Sequence, residues 1–264
     1  MNVFTDTHVH LCDAQFDADR DGVLARALEA GVERLVEIAD HPDEWGRAVS
    51  LARSTPGRVR CSLGLHPYYA DRFEGGLIQR LKAALAASPE AVAIGEIGLD
   101  YVKTPIPAEV QRRAFSALLA ASLEWDMPVV IHCRGAYMDL VPMLRDFFPR
   151  PPERRRFWGV LHCFSGTPAE AAACAARGFA LGADGPVTYK KNEALREAFR
   201  TAGPDVAVLE TDCPYLPPQS SRGKRNEPRA ILEIAASLAE TWSLSIEEVA
   251  RRTTANAAAL YRWP

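Results

Sequence analysis

The histidines are the residues of this 264-residue sequence whose spacing first suggests chemistry. There are six of them, and all but His41 stand at the end of a short apolar run of the kind that forms a buried strand. These five are His8, His10, His66, His132 and His162. His8 and His10 are two residues apart, so in a strand their side chains project from the same face and could hold one ion together.

Two acidic residues stand in the same kind of position. Glu96 lies within the largely apolar segment 94–100, and Asp212 ends the segment 208–212. A carboxylate behind a buried strand is costly unless it is paired or bound to a cation. Each residue alone has a structural alternative: a salt bridge to an arginine for Glu96, and a hydrogen-bonded core position for a single histidine. Their recurrence at strand ends favours one shared site.

Together these positions offer four imidazoles and two carboxylates as metal ligands: His8, His10, Glu96, His132, His162 and Asp212. That set is too large for one tetrahedral zinc but suits two divalent ions that share a bridging ligand. The mixed nitrogen and oxygen set suits Zn²⁺ or Mn²⁺, whereas Mg²⁺ prefers more oxygen, and the identity of the metal stays open among these three.

The chemistry of such a site follows from the ions. Bound metal lowers the pKa of water from about 15.7 toward about 7, and two ions about 3.5–4 Å apart can hold both oxygens of an in-line displacement at phosphorus. We therefore predict a hydrolase that uses a metal-bound hydroxide, with Glu96 and Asp212 as catalytic residues. Asp212 could act as the general base for the water while also binding a metal.

These residues need a scaffold that brings strand ends together. Several apolar runs are continuous Val, Ile and Leu stretches, which indicates strands buried on both faces of a parallel sheet. The predicted strands are residues 3–7, 34–39, 58–65, 91–97, 129–133, 158–162, 179–183 and 206–211. Helical patterns lie between them: one ends at residues 126–128 before a strand, and another opens with a capping box at residues 245–248.

The alternation of strands and helices without a linker predicts the α/β class and a single (β/α)₈ TIM barrel over residues 1–264. The predicted metal site then lies at the C-terminal ends of the strands, where the loops of a barrel open. The alternative is an open doubly wound sheet, which normally has a glycine-rich turn after its first strand. Here residues 7–10 read Thr-His-Val-His, which favours the barrel.

Composition excludes several other classes. A chain with 48% hydrophobic and 25% charged residues is typical of a folded protein. A net charge of −3 excludes a globally basic nucleic-acid coat, although local arginines and bound cations could still attract nucleic acid. No apolar run is long enough for a membrane span, and six cysteines without a Cys-x-x-Cys pair indicate reduced thiols, so we predict a cytoplasmic protein.

Seven segments of the sequence resemble the TatD family of metal-dependent deoxyribonucleases, in the amidohydrolase-like barrel superfamily. They follow the family's order and cover nearly the whole chain: residues 5–11 (TDTHVHL), 64–67 (GLHP), 95–101 (GEIGLDY), 131–134 (IHCR), 162–166 (HCFSG), 209–216 (LETDCPYL) and 225–228 (RNEP). The sequence departs from the pattern at Gly135, where relatives often carry an acid. Superfamily members that hydrolyse amides or phosphotriesters commonly bridge their metals with a lysine on strand 4, where this chain has Glu96.

The resemblance implies roles for the matched residues. It implies that His8, His10, Glu96 and Asp212 bind one metal and that His132 and His162 hold the second, with Glu96 bridging. Asp212 matches the family's water-activating acid. His66 matches its phosphate-side histidine. Among further substrate contacts, Arg134 could form a fork to a phosphate oxygen, and Arg225 falls in a family motif.

Three functions remain open at this point. The first is hydrolysis of phosphodiesters in nucleic acid, with single-stranded DNA ends as the substrate, as in the family's exonucleases. The second is hydrolysis of another ester by the same site, on a small molecule or an aminoacyl-tRNA. The third is a barrel that has lost catalysis, which the presence of all six ligands disfavours. We predict no membrane partner and no obligate protein partner.

Overall fold

The computed structural model describes residues 2–263. Its centre is one sheet of parallel strands in the order β1 to β8. The strands are β1 (Phe4–Val9), β2 (Val32–Ala39), β3 (Val59–Leu63), β4 (Ala91–Asp100), β5 (Val129–Arg134), β6 (Gly159–Leu161), β7 (Phe179–Ala183) and β8 (Ala207–Leu209). Helices alternate with these strands, so the predicted (β/α)₈ barrel is confirmed.

The barrel closes at the seam between its first and last strands. The backbone N–H of Asp212 donates to the carbonyl of His8 at 2.9 Å, and the N–H of His10 donates to the carbonyl of Cys213 at 2.8 Å. Val9 and Cys213 form an isolated parallel bridge at the same place. The closure therefore lies at the carboxyl ends of the strands and joins the segments that carry three of the predicted metal ligands.

The helices cover the outside of the sheet. They are α1 (Arg20–Glu29), α2 (Trp45–Ser54), α3 (Leu77–Ala86), α4 (Ala108–Trp125), α5 (Tyr137–Phe147), α6 (Pro168–Ala176), α7 (Glu193–Ala202), α8 (Ile231–Trp242) and α9 (Ile246–Tyr261). Helix α4 ends as expected just before residues 126–128, with Asp126 in the left-handed region at φ 51°. At α9 only half of the predicted capping box forms, because Glu248 binds Arg251 and Arg252 instead of reaching back to Ser245.

Two apolar clusters hold the strands in place. The larger one packs the strands against the surrounding helices. The smaller one joins alternate strand residues such as Val36, Ile38 and Val130 to Leu260 and Tyr261 of α9. Because side chains alternate between the faces of a strand, this second cluster fills the barrel interior. The interior is therefore packed with side chains beneath the strand ends, and the loops at those ends surround an open cavity.

The observed strand ends differ from the predicted ones where backbone pairing, rather than apolar sequence, determines where a strand ends. β4 continues to Asp100 because Gly98, Leu99 and Asp100 pair with His132, Cys133 and Arg134 of β5. β8 ends at Leu209 because the chain then turns toward β1. Within residues 2–263 no helix is both long and apolar enough to cross a membrane, and all six cysteines are free thiols.

Candidate metal centre

All six predicted metal ligands lie together at the carboxyl-terminal edge of the barrel. His8 is in β1, Glu96 in β4 and His132 in β5, while His10 and His162 directly follow β1 and β6. Asp212 lies three residues beyond β8, with φ 55°, and its backbone is held by β1 across the seam. The parallel barrel explains why these side chains come together, because its strands all end at the same rim.

The first group of donors surrounds His8 Nε2. This atom lies 3.2 Å from His10 Nε2, 3.4 Å from Glu96 Oε2 and 3.6 Å from Asp212 Oδ1. The distance from His10 Nε2 to Asp212 Oδ1 is 3.3 Å. Four donors placed tetrahedrally about 2.0–2.2 Å from a cation are separated by roughly 3.3–3.6 Å. The spacing of the His8, His10 and Asp212 donors therefore fits a bound divalent ion, and Glu96 Oε2 approaches this group through His8.

The second group of donors surrounds the other oxygen of Glu96. Oε1 lies 2.9 Å from His132 Nδ1, 3.5 Å from His66 Nε2 and 3.6 Å from His162 Nε2. Glu96 thus presents one carboxylate oxygen to each group. A bridging carboxylate needs one oxygen for each of two metal ions, and Glu96 is placed in this way.

The ionisation of the acids suits cation binding. Burial alone would raise the pKa of Glu96, but the charges of His162 and His66 and the hydrogen bond from His132 hold it well below its ordinary value. Burial likewise acts to raise the pKa of Asp212, but the hydrogen bond from His10 and the charges of His162, His8 and His10 together lower it. Both groups are therefore carboxylates at neutral pH, the form that binds metal.

Two further carboxylates contact the ring nitrogens of His132 and His162 that face away from Glu96. The sequence did not predict a role for either of them. Asp100 Oδ2 lies 3.0 Å from His132 Nε2, and Glu210 Oε1 lies 2.9 Å from His162 Nδ1. Such partners fix the orientation of a ligand ring and raise its basicity. Both acids lie inside the segments 95–101 and 209–216, so their position next to ligands was the signal that could have found them.

A cavity of about 560 Å³ opens over the donors. Arg134, one of the predicted substrate contacts, lines it, and its Nη1 donates to the Tyr68 hydroxyl at 3.2 Å and lies 3.4 Å from Asp100 Oδ2. His66 also lines the cavity and is buried. Its Nδ1 accepts the Tyr68 N–H, which turns Nε2 toward Glu96. His66 Nε2 therefore lies with Glu96 and His132 in the second donor group.

The structure does not bring the third predicted substrate contact, Arg225, to this cavity. Its guanidinium donates to both carboxylate oxygens of Asp19 at 2.8 Å and also contacts Glu227 at 3.2 Å. It packs over the ring of Phe16 at 4.7 Å. Arg225 therefore ties the loop after β8 to the segment before α1. The sequence could not reveal this because Asp19 is 206 positions away.

The fold and the donor groups define a class of protein: a barrel hydrolase with a candidate binuclear metal centre. The family model described as TatD related DNase matches residues 5–262. The chain belongs to this family.

Several proteins are similar over almost their whole length. The 3'-5' ssDNA/RNA exonuclease TatD of Erwinia billingiae is 38% identical over 264 residues, covering 98% of this chain and 99% of its own. The uncharacterized metal-dependent hydrolase YabD of Bacillus subtilis is 34% identical, covering 97% and 98%. The crystal structure of YJJV, a TatD homologue from Escherichia coli K12, superposes with a TM-score of 0.90 at 28% identity, covering 99% and 98% of the two chains. These relatives support an enzyme that acts on ester bonds.

Proposed function

We propose that this protein is a metal-dependent exonuclease that removes nucleotides from the 3′ ends of single-stranded DNA or RNA, with residues 1–264 acting as one barrel domain in the cytoplasm. The single observation that carries the proposal is the position of Glu96 between two donor groups, in a chain whose relatives are named as nucleases and metal-dependent hydrolases. Two ions held this way suit a displacement at phosphorus.

The proposed holders of the metals follow the donor groups. His8, His10 and Asp212 would hold one divalent ion and His132 and His162 the other, with Glu96 shared. Ions in this place would lower the pKa of water and neutralise the oxygens of the phosphodiester. The imidazole and carboxylate set favours Zn²⁺ or Mn²⁺ over Mg²⁺.

The remaining steps belong to side chains. Asp212, a carboxylate at neutral pH, accepts the proton of the attacking water. The water oxygen bonds to phosphorus, the bond to the 3′ oxygen of the preceding nucleotide breaks, and that oxygen takes up the proton held by Asp212, so that a nucleoside 5′-monophosphate leaves and the strand again ends in a 3′-hydroxyl. Arg134 places its guanidinium on a non-bridging phosphate oxygen, and His66 faces the same phosphate. Asp100 and Glu210 keep His132 and His162 turned toward the metals.

The size of the cavity supports an end rather than an internal stretch of nucleic acid as substrate. A cavity of about 560 Å³ holds about one nucleotide, because pockets of 300–1,000 Å³ take small-molecule ligands. A rigid duplex would not reach the donors beneath the rim. A flexible single-stranded end can enter, which agrees with the similarity to the ssDNA/RNA exonuclease of Erwinia billingiae.

The test is digestion of a 5′-labelled single-stranded DNA by metal-stripped protein with Mn²⁺, Mg²⁺ or Zn²⁺ restored. We expect a ladder that shortens from the 3′ end with metal and none in chelator. Glu96→Ala should give no ladder, and Glu29→Ala, an exposed acid at the end of α1, should digest as the unaltered protein does. Absence of cleavage with every metal, from protein that binds two ions per chain, would instead favour hydrolysis of another ester by the same site.

A further inference from the structure

The active-site cavity continues beyond the candidate metal ligands toward β2 and α2. On this side it is lined by Ala39 and Asp40 at the end of β2, by Glu44 and Ala48 at the start of α2, and by Tyr69. We refer to these five residues as the β2-side wall. The same cavity is lined by Arg134 at the end of β5. A ligand whose phosphate lies at the metal centre therefore extends into two different surroundings.

The β2-side wall is acidic. Burial, together with the nearby charges of Glu96 and Glu44, raises the pKa of the Asp40 carboxyl to about 7, so this residue is a full carboxylate only above neutral pH. Arg47, which also lines this end of the cavity, forms an ion pair with Asp17 and is turned to that acid. On the other side Arg134 offers a guanidinium that is partly exposed. The cavity is thus lined by two carboxyl groups beside β2 and by one guanidinium, which also contacts Asp100, beside β5.

The two ends of the cavity suit different parts of a nucleic-acid strand. At the β5 end the guanidinium of Arg134 stabilises the scissile phosphate and the strand that continues from it. At pH 8.5, above the raised pKa of Asp40, a phosphate placed between Asp40 and Glu44 is repelled by both carboxylates. Sugar hydroxyls, in contrast, donate readily to carboxylates, as in the ribose contacts of dinucleotide-binding proteins. Only the terminal nucleoside of a strand has a free sugar hydroxyl and no further phosphate.

We propose that the β2-side wall binds the 3′-terminal nucleoside, with Asp40 and Glu44 accepting hydrogen bonds from its sugar hydroxyls and rejecting a strand that continues as a phosphate. This inference rests on the proposed exonuclease function and adds that the enzyme recognises the 3′-terminal sugar hydroxyl. The two carboxylates therefore favour a free sugar hydroxyl and disfavour a phosphate at this position. An internal phosphodiester is refused by the same repulsion, so cleavage proceeds from the end.

The experiment compares two 5′-labelled single-stranded DNAs of one sequence, ending in a 3′-hydroxyl or a 3′-phosphate. The wild-type protein, the double variant Asp40→Asn/Glu44→Gln and the control Asp43→Asn are assayed with saturating Mn²⁺ at pH 8.5. Asp43 lies on the same loop, but its side chain is 82% exposed and does not line this cavity. The quantity measured is the ratio of kcat/KM for the two ends, which is independent of the fraction of active protein.

We expect the wild-type protein and Asp43→Asn to favour the hydroxyl end by at least about tenfold, and the double variant to reduce this ratio to within about threefold. An unchanged ratio in the double variant overturns the inference. A wild-type preference for the phosphorylated end, as a third cation between Asp40 and Glu44 would give, overturns it too. If the wild-type protein digests neither end yet hydrolyses bis(p-nitrophenyl) phosphate with metal, the nucleic-acid part of the proposed function fails, which is a different result from an unaltered ratio.

Discussion

Asp100 Oδ2 lies 3.0 Å from His132 Nε2, on the side of the ring opposite Glu96. Asp100 is fully buried and also accepts the backbone N–H groups of Val102 and Lys103. Burial acts against its ionisation, but the hydrogen bonds from His132 and from the backbone lower the pKa of Asp100 well below its ordinary range. A fixed negative charge therefore holds the ring with Nδ1 turned toward the donor group.

Replacing this acid tests its positioning role. Asp100→Asn should weaken the binding of the second metal ion by about 10–100-fold, because the ring loses its charged partner while the volume is kept. The measurement is metal titration of chelator-stripped protein followed by calorimetry. Asp139→Asn is the matched control, since Asp139 binds Tyr101 and Arg112 away from the ligands. Equal affinity in Asp100→Asn and the wild-type protein would contradict the assigned role.

Arg134 allows a test that separates charge from geometry. Arg134→Lys keeps the positive charge but loses the planar fork, so the KM for single-stranded DNA should rise about tenfold. Steady-state kinetics on a labelled oligonucleotide measures this change. Arg113→Lys, on the exposed face of α4, should leave KM unaltered. A KM for Arg134→Lys that matches the control would remove Arg134 from the phosphate site.

The Arg225–Asp19 pair predicts a pH-dependent stability. The hydrogen bonds from Arg225 and then Arg26 lower the pKa of Asp19 from 3.8 to about 2. A depressed pKa in the folded state stabilises the protein above the unfolded pKa and loses this effect as the pH falls through the folded pKa. Arg225→Met should therefore be less stable than the wild-type protein at pH 7, and the difference should shrink below about pH 4.

Urea unfolding at several pH values measures this difference in the free energy of unfolding. Digestion of single-stranded DNA by folded Arg225→Met should proceed at the wild-type kcat/KM, since the guanidinium is bound to Asp19 outside the cavity. A difference in stability that stays constant down to pH 2.5 would contradict the pairing. A large rise in KM would instead restore Arg225 as a substrate contact.

Gly98 permits the close approach of β4 and β5 beside the metal centre. It has φ 144°, and a Cβ at this position would overlap the carbonyl oxygen of His132. Gly98→Ala should therefore lower the free energy of unfolding by more than about 2 kcal/mol and weaken metal binding, because His132 must move. Gly46→Ala, in α2 with open space around it, should stabilise by about 0.5–1 kcal/mol. Equal unfolding midpoints for the two variants would contradict this account.

The sequence predicted the features that depend on local pattern. Continuous apolar runs located all eight strands, and the residues that end them located the donors around Glu96, because a parallel barrel brings every strand end to one rim. It did not predict what depends on the path of distant loops. Arg225 forms an ion pair with Asp19 across the rim. Asp100 and Glu210 form hydrogen bonds with ligand histidines on other strands. Such partners are set by tertiary packing.

The closure of the barrel has a consequence for metal uptake. His8 and Asp212 are joined by a backbone hydrogen bond across the seam between β1 and β8, and their side chains belong to one donor group. A cation bound there is a non-covalent cross-link between the first and last strands, which binds the closed barrel and not the opened one. We therefore expect metal removal to destabilise this seam first, so that in hydrogen-exchange measurements the amides of residues 8–10 and 212–213 exchange faster in the metal-free protein while those of β3 are unaffected.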